Sequence, residues 1–129
     1  MSVHALGRRS PSARRAAAEL TQWRHEVRRV RDAGLETVDI AEATGVDRST
    51  VSAWLSARRT PTGERRNRLI ELSAIVERLQ RVMDPAYVPV WLVKPLTLLD
   101  DERPIEAIAR GDYRAVSRLV AQLENDSFS

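Results

Sequence analysis

The sequence predicts an all-α protein, a helix-turn-helix bundle followed by a smaller helical unit. Three observations carry that prediction. Apolar residues recur at spacings of three and four along most of the chain, and no stretch keeps the period of two that a strand requires. The segment 37–59, TVDIAEATGVDRSTVSAWLSARR, has the pattern of two short helices joined at a glycine. The 129 residues are 43% hydrophobic and 30% charged, which suits one soluble domain or two small helical units sharing a core.

In chain order, residues 1–12 read as a flexible arm with Gly7 and Pro11. Such an arm is either a frayed terminus or a segment that follows a phosphate backbone into a minor groove. From Ser12 to Ala33, Ala16, Leu20, Trp23, Val27 and Val30 form one helical stripe, and Gly34 is placed to end it. Arginines crowd the other faces of this helix. A helix-turn-helix domain is therefore expected over 13–83, with this first helix closing its core.

Within that domain, Ile40, Ala41, Val46, Val51 and Trp54 fall where a helix-turn-helix pair buries its side chains. Gly45 occupies the turn, where a positive φ costs glycine little. Asp47 supplies the oxygen that caps the second helix, expected to continue from Thr50 to Arg58. With Val51 and Trp54 inward, Arg48, Ser49, Ser52, Ala53 and Ser56 are expected to face out, as small, hydrogen-bonding or guanidinium groups suited to base edges. A pair of helices that merely packs is the alternative reading of the same segment.

Pro61 and Gly63 mark a loop, and a long helix follows from Glu64 to Val82 with Leu69, Leu72, Ile75, Val76, Leu79 and Met83 on its buried side. Arg65, Arg66 and Arg68 stand in its first turn, where the helix dipole disfavours cations. Together with Arg58 and Arg59 they fit a bound phosphate, or equally a solvated basic patch. The charge split points the same way. Residues 1–83 carry 16 arginines against 10 acids, a net +6, and residues 84–129 carry 5 basic residues against 8 acids, a net −3. The front suits a polyanion such as operator DNA, and the rear suits a different partner.

The rear unit is expected over 84–124, with a polar tail at 125–129. Asp84-Pro85 opens a short helix interrupted or kinked at Pro89, Lys94-Pro95 ends it, and Leu96, Leu98 and Leu99 lead into the acidic turn Asp100, Asp101, Glu102. Pro104 opens another helix with Ile105, Ile108 and Ala109 on one side. Gly111 closes it, and Asp112 caps a last helix striped by Tyr113, Val116, Leu119, Val120 and Leu123.

Several function classes are disfavoured. Without cysteine there is no disulfide, thiol catalysis or cysteine-ligated zinc. His4 and His25 have no companion at ligand or relay spacing, and no glycine-rich phosphate loop follows a strand. Neither an enzyme nor a bound metal or cofactor is expected. No apolar run reaches the ~20 residues of a membrane span, and the arginine-rich start lacks the apolar core of a signal peptide. The expected location is a bacterial cytoplasm, with nucleoid association when DNA is bound.

The rear half also carries a resemblance. Trp91, three residues, Pro95, a leucine-rich turn, Pro104, Gly111-Asp112-Tyr113 and an amphipathic final helix resemble the toxin-binding C-terminal domain of the MbcA/ParS/Xre antitoxin family, preceded as in that family by a helix-turn-helix. The likeness covers roughly residues 35–124. It departs at Leu99-Asp100-Asp101-Glu102, where the family usually has glycine. The resemblance implies a type II antitoxin that covers the active site of a RES-domain, NAD-consuming toxin and represses its own operon through the helix-turn-helix. On that reading Tyr113, Arg114, Ser117, Arg118, Gln122 and Phe128 form the toxin-facing surface, and Phe128 either plugs the toxin cleft or folds back on its own core. The alternative is a stand-alone transcriptional repressor whose rear half dimerises or senses a ligand. A homodimer, or a larger assembly with the toxin, is expected because helix-turn-helix readers usually bind paired half-sites.

Overall fold

The structure is a computed structural model that describes residues 10–127, and every regular element among these residues is helical. The α-helices are α1 (Pro11–Asp32), α2 (Thr37–Thr44), α3 (Arg48–Leu55), α4 (Gly63–Gln80), α5 (Val88–Leu92), α6 (Pro104–Ala109) and α7 (Tyr113–Asp126). Short 3-10 turns at Pro85–Tyr87 and Thr97–Leu99 flank α5.

Helix α4 is the centre of the molecule. Leu69, Leu72, Ile75 and Leu79 are fully buried along it, and it packs against α1 and α2 from the front half and α5, α6 and α7 from the rear. Front and rear consequently share one apolar core that runs without a break from Trp23 through Trp54 and Leu72 to Ile108 and Val120. Helix α3 closes the front by packing on α1 and α2, and α2 packs on α6. One more close contact joins the halves. Gly34 has a φ of +109°, and a Cβ there would fall 2.9 Å from Cγ of Pro89, so only glycine admits the proline.

The helix boundaries follow local chemistry. Ser10 caps α1 by accepting from the Ala13 amide at 3.1 Å, so the helix begins at Pro11, and residues 10–12 are not part of an arm. Residues 1–9 of the expected arm lie outside the described residues. The predicted α1 stripe is buried only at Trp23, Val27 and Val30; Ala16 is exposed and Leu20 half-buried. Pro89 does not kink a helix. It stands in the first turn of α5, where its missing N–H costs nothing, directly after the 3-10 turn that Asp84 caps.

The shared core has a measurable consequence. Leu72→Ala is expected to destabilise the protein by about 2–5 kcal/mol through lost burial and a residual cavity. In single-tryptophan versions retaining Trp54 or Trp91, denaturation should report one common, lowered midpoint, whereas independent halves would separate the two signals.

Candidate nucleic-acid and partner surfaces

Helix α2 ends as the sequence predicts. Gly45 has a φ of +75°, and its amide and that of Val46 both donate to the Ala41 carbonyl. Asp47 then caps α3, its Oδ1 accepting from the Thr50 amide at 2.9 Å and from the hydroxyls of Ser49 and Thr50 at 2.8 Å each. Those donors, the Ser49 hydroxyl first, hold the Asp47 carboxyl down to about 2. Val51 and Trp54 point into the core.

On the outer side of α3, Arg48, Ser49, Ser52 and Ser56 are exposed. Ala53 is buried and does not join them, and α3 stops at Leu55 instead of continuing to Arg58. The early end of α3 has a local cause. Ala57 takes a left-handed φ of +59°, so the chain turns back, and the Arg58 and Arg59 amides donate to the Ala53 carbonyl at 2.9 and 3.3 Å. The turn ties the following backbone to the end of α3. It also engages part of the predicted surface internally, since Ser49 donates to Asp47 and Arg58 Nε donates to Ser56 Oγ at 2.8 Å.

The predicted basic residues are divided. Arg59 and Arg65 line an open polar cleft of about 370 Å³ together with Asp47, Thr50, Thr60 and Thr62, beside the start of α3. Arg66 instead lies over the Trp23 ring, 5.2 Å from its centre, where a cation–π contact holds it against α1. Arg58, bound to Ser56, is not among the cleft residues.

The rear surface also differs from its prediction. Arg78 on α4 grips α7: its guanidinium donates to Glu124 at 2.6 Å, to Ser117 Oγ at 2.8 Å and to the Ser117 carbonyl at 3.3 Å. Ser117 therefore faces α4 and Tyr113 packs against the core, leaving Arg114, Arg118 and Gln122 exposed on α7. Phe128 lies outside the described residues. In the acidic turn, Asp100 and Asp101 take φ of +55° and +65°, a backbone that glycine adopts freely and aspartate tolerates better than most residues. Glu102 leaves the acidic cluster to chelate Arg110 with two bonds of 2.9 Å.

A rear feature that the sequence reading missed is apolar. Leu98 is 74% exposed, Val90 is 48% exposed and Tyr87 is also exposed. Beside Leu98 runs a groove of about 220 Å³ lined by Trp91, Leu96, Thr97, Leu119, Gln122, Leu123 and Asp126. One signal was available. A five-residue helix reading Val-Pro-Val-Trp-Leu buries Val88, Trp91 and Leu92 on one side, which forces Val90 outward.

Among the described residues, no His, Cys, Asp or Glu group is placed to hold a metal ion, and no helix is long and apolar enough to cross a membrane. A rigid helical body with a basic polar face in front and an apolar groove behind is that of a binding protein. No family model matches the chain. It is 32% identical over 83 residues to the probable mycobacterial cidal antitoxin Rv3188 of Mycobacterium tuberculosis, covering 64% of this chain and 70% of that one. It is 24% identical over 95 residues to the mycobacterial cidal antitoxin MbcA of Mycobacterium bovis and M. tuberculosis, covering 74% of this chain and 84% of MbcA. The fold matches a chain in the crystal structure of the M. tuberculosis MbcT–MbcA toxin–antitoxin complex with a TM-score of 0.71 and 22% identity, over 80% of this chain and 94% of that one. The protein belongs to the mycobacterial cidal antitoxin family. Members of that family are named as antitoxins, not enzymes.

The Asp47 cap yields a titration. Its folded carboxyl lies near 2 against an ordinary 3.8, so its stabilising charge is fully present above 3.8 and is lost as pH falls through about 2. Carboxyl NMR should place the Asp47 midpoint near 2. Ser49→Ala, which removes the first hydroxyl donor, should move it toward 3.8.

Proposed function

We propose that this chain is the antitoxin of a RES-domain, NAD-consuming toxin, which it neutralises by covering the active site with its rear half. The observation that carries the reading is Leu98, 74% exposed beside an apolar groove on the face that the antitoxin resemblance covers. An apolar side chain left in water beside a groove of matching character suits a partner contact. Gln122 on α7 lines the same groove, and Arg114 and Arg118 are exposed on the same helix and can supply polar contacts to a partner. Asp100 and Asp101 add negative charge that complements a toxin pocket built to bind the phosphates of NAD.

A second reading adds operator binding, favoured by the exposed Arg48 and Ser52 on α3 and by Arg59 and Arg65 at the adjacent cleft. On this reading the antitoxin represses its own operon, acting in the cytoplasm and on the nucleoid. Ser49, Ser56 and Arg58 hold that surface in shape more than they read it.

The test is co-purification with the product of the neighbouring gene. A stable complex in which NAD consumption is silent supports the antitoxin reading. Leu98→Asp should weaken that complex by more than tenfold, since burying a leucine is worth about 1.5–3 kcal/mol and 1.4 kcal/mol is a factor of ten. A chain that purifies alone yet shifts its own promoter DNA would identify a stand-alone dimeric repressor instead. For the operator, Arg48→Ala should cost about 1–3 kcal/mol in a gel-shift titration if that side chain reads a base.

A further inference from the structure

The walls of the rear groove select what can lie in it. On one side α7 supplies Leu119, Gln122, Leu123 and Asp126, at spacings of three and four, so the groove follows that helix for two turns, about 10 Å. On the other side stands the 3-10 turn with Leu96, Thr97 and Leu98. At about 220 Å³ the groove is smaller than the roughly 300–1,000 Å³ of ordinary small-molecule sites, so it suits side chains of a larger partner. Neither wall gives a strand a place to pair. The backbone of α7 is bonded within its own helix, and the turn is closed on itself. The Leu99 and Asp101 amides both donate to the Leu96 carbonyl at 2.9 Å, and the Asp100 amide donates to the Thr97 carbonyl at 3.0 Å. An added strand would gain no ladder of main-chain bonds there, whereas an amphipathic helix docks through its side chains alone.

Charge narrows the occupant further. Asp100 and Asp101 are exposed at the end of the same turn. The Leu96 amide donates to the Glu102 carbonyl at 3.2 Å, which closes the turn and holds the two carboxylates beside the groove wall. The rear half as a whole, residues 84–129, carries a net −3. A helix with basic residues flanking its apolar stripe complements this pattern, and an acidic one is repelled by it. We infer that the groove seats an amphipathic helix of the toxin, one that borders its NAD pocket. Apolar side chains three or four apart on that helix enter between α7 and Leu98, and Leu98 packs between them in return. Basic residues on its flank, at the rim of the pocket, face Asp100 and Asp101. The inference deepens the antitoxin reading and rests on it.

The test is site-directed photo-crosslinking in the full-length complex. The chain contains no cysteine, so Thr97→Cys and Gln122→Cys, both at exposed positions, each place a single thiol at one rim of the groove. Each variant is labelled with a benzophenone maleimide, mixed with the neighbouring gene product and irradiated, and the joined residues are read by mass spectrometry. The expected crosslinks fall three, four and seven residues apart on a single helix of the partner, with lysine or arginine beside them. A second variant tests the charge. Asparagine tolerates the left-handed backbone, so Asp100→Asn combined with Asp101→Asn keeps the turn. It should slow association about tenfold at low salt and flatten the salt dependence of the rate. A complex that silences NAD consumption, yet crosslinks to strands or loops of the partner, to a second copy of this chain or within the chain itself, overturns the inference and leaves the antitoxin reading standing. So does an association rate that the double substitution leaves unchanged. Absence of any complex removes the reading and the inference together.

Discussion

The structure depends on the burial of one helix from two sides. Eighteen-residue α4 packs on front helices and rear helices together, and its Leu69, Leu72, Ile75 and Leu79 are fully buried. Burying four such side chains contributes several kcal/mol, comparable to the whole net stability of a small domain. Each half is therefore a condition for the other. The functional surfaces inherit this: both are presented by elements that α4 holds in place.

Polar ties reinforce that sharing. Arg103, just before α6, pairs with Glu42 on α2 and Glu106 on α6, so the first helix of the front pair is fastened to the rear half. Arg78 does the same for α7, and that hydrogen bond is the main cause lowering the carboxyl pKa of its Glu124 partner. Pro89 seated on Gly34 adds a steric contact. The ion pairs are partly exposed and add modestly to stability, but they fix angles between helices. A rigid body of this kind holds the basic cleft and the apolar groove at a fixed separation, which suits a protein that engages two partners.

Much of this fold was legible because it is local. The Asp47 and Asp112 caps, the Gly45 turn, and the inward Val51 and Trp54 follow from spacing and backbone preference within a few residues. The stripe on α4 was legible for the same reason. What the sequence hid arises from distance or from an unusual backbone. Helix α3 ends at Leu55 because Ala57, not a glycine, takes a left-handed turn and returns the Arg58 and Arg59 amides to the Ala53 carbonyl. Ser117 is engaged by an arginine on a different helix, 39 residues before it. The groove beside Leu98 exists only where α5, the following turn and α7 converge, so no single segment announces it. The antitoxin resemblance points to the rear half as the toxin-binding half, and the surface proposed within it now includes Leu98 beside α7.

The central claim is that the rear groove is the toxin-binding surface, and hydrogen–deuterium exchange on the chain alone and with the neighbouring gene product tests it most directly. The account predicts added protection over Val88–Leu99 and along α7, with α3 unchanged. Protection confined to α2 and α3, with the rear helices exchanging as in the free chain, would contradict it.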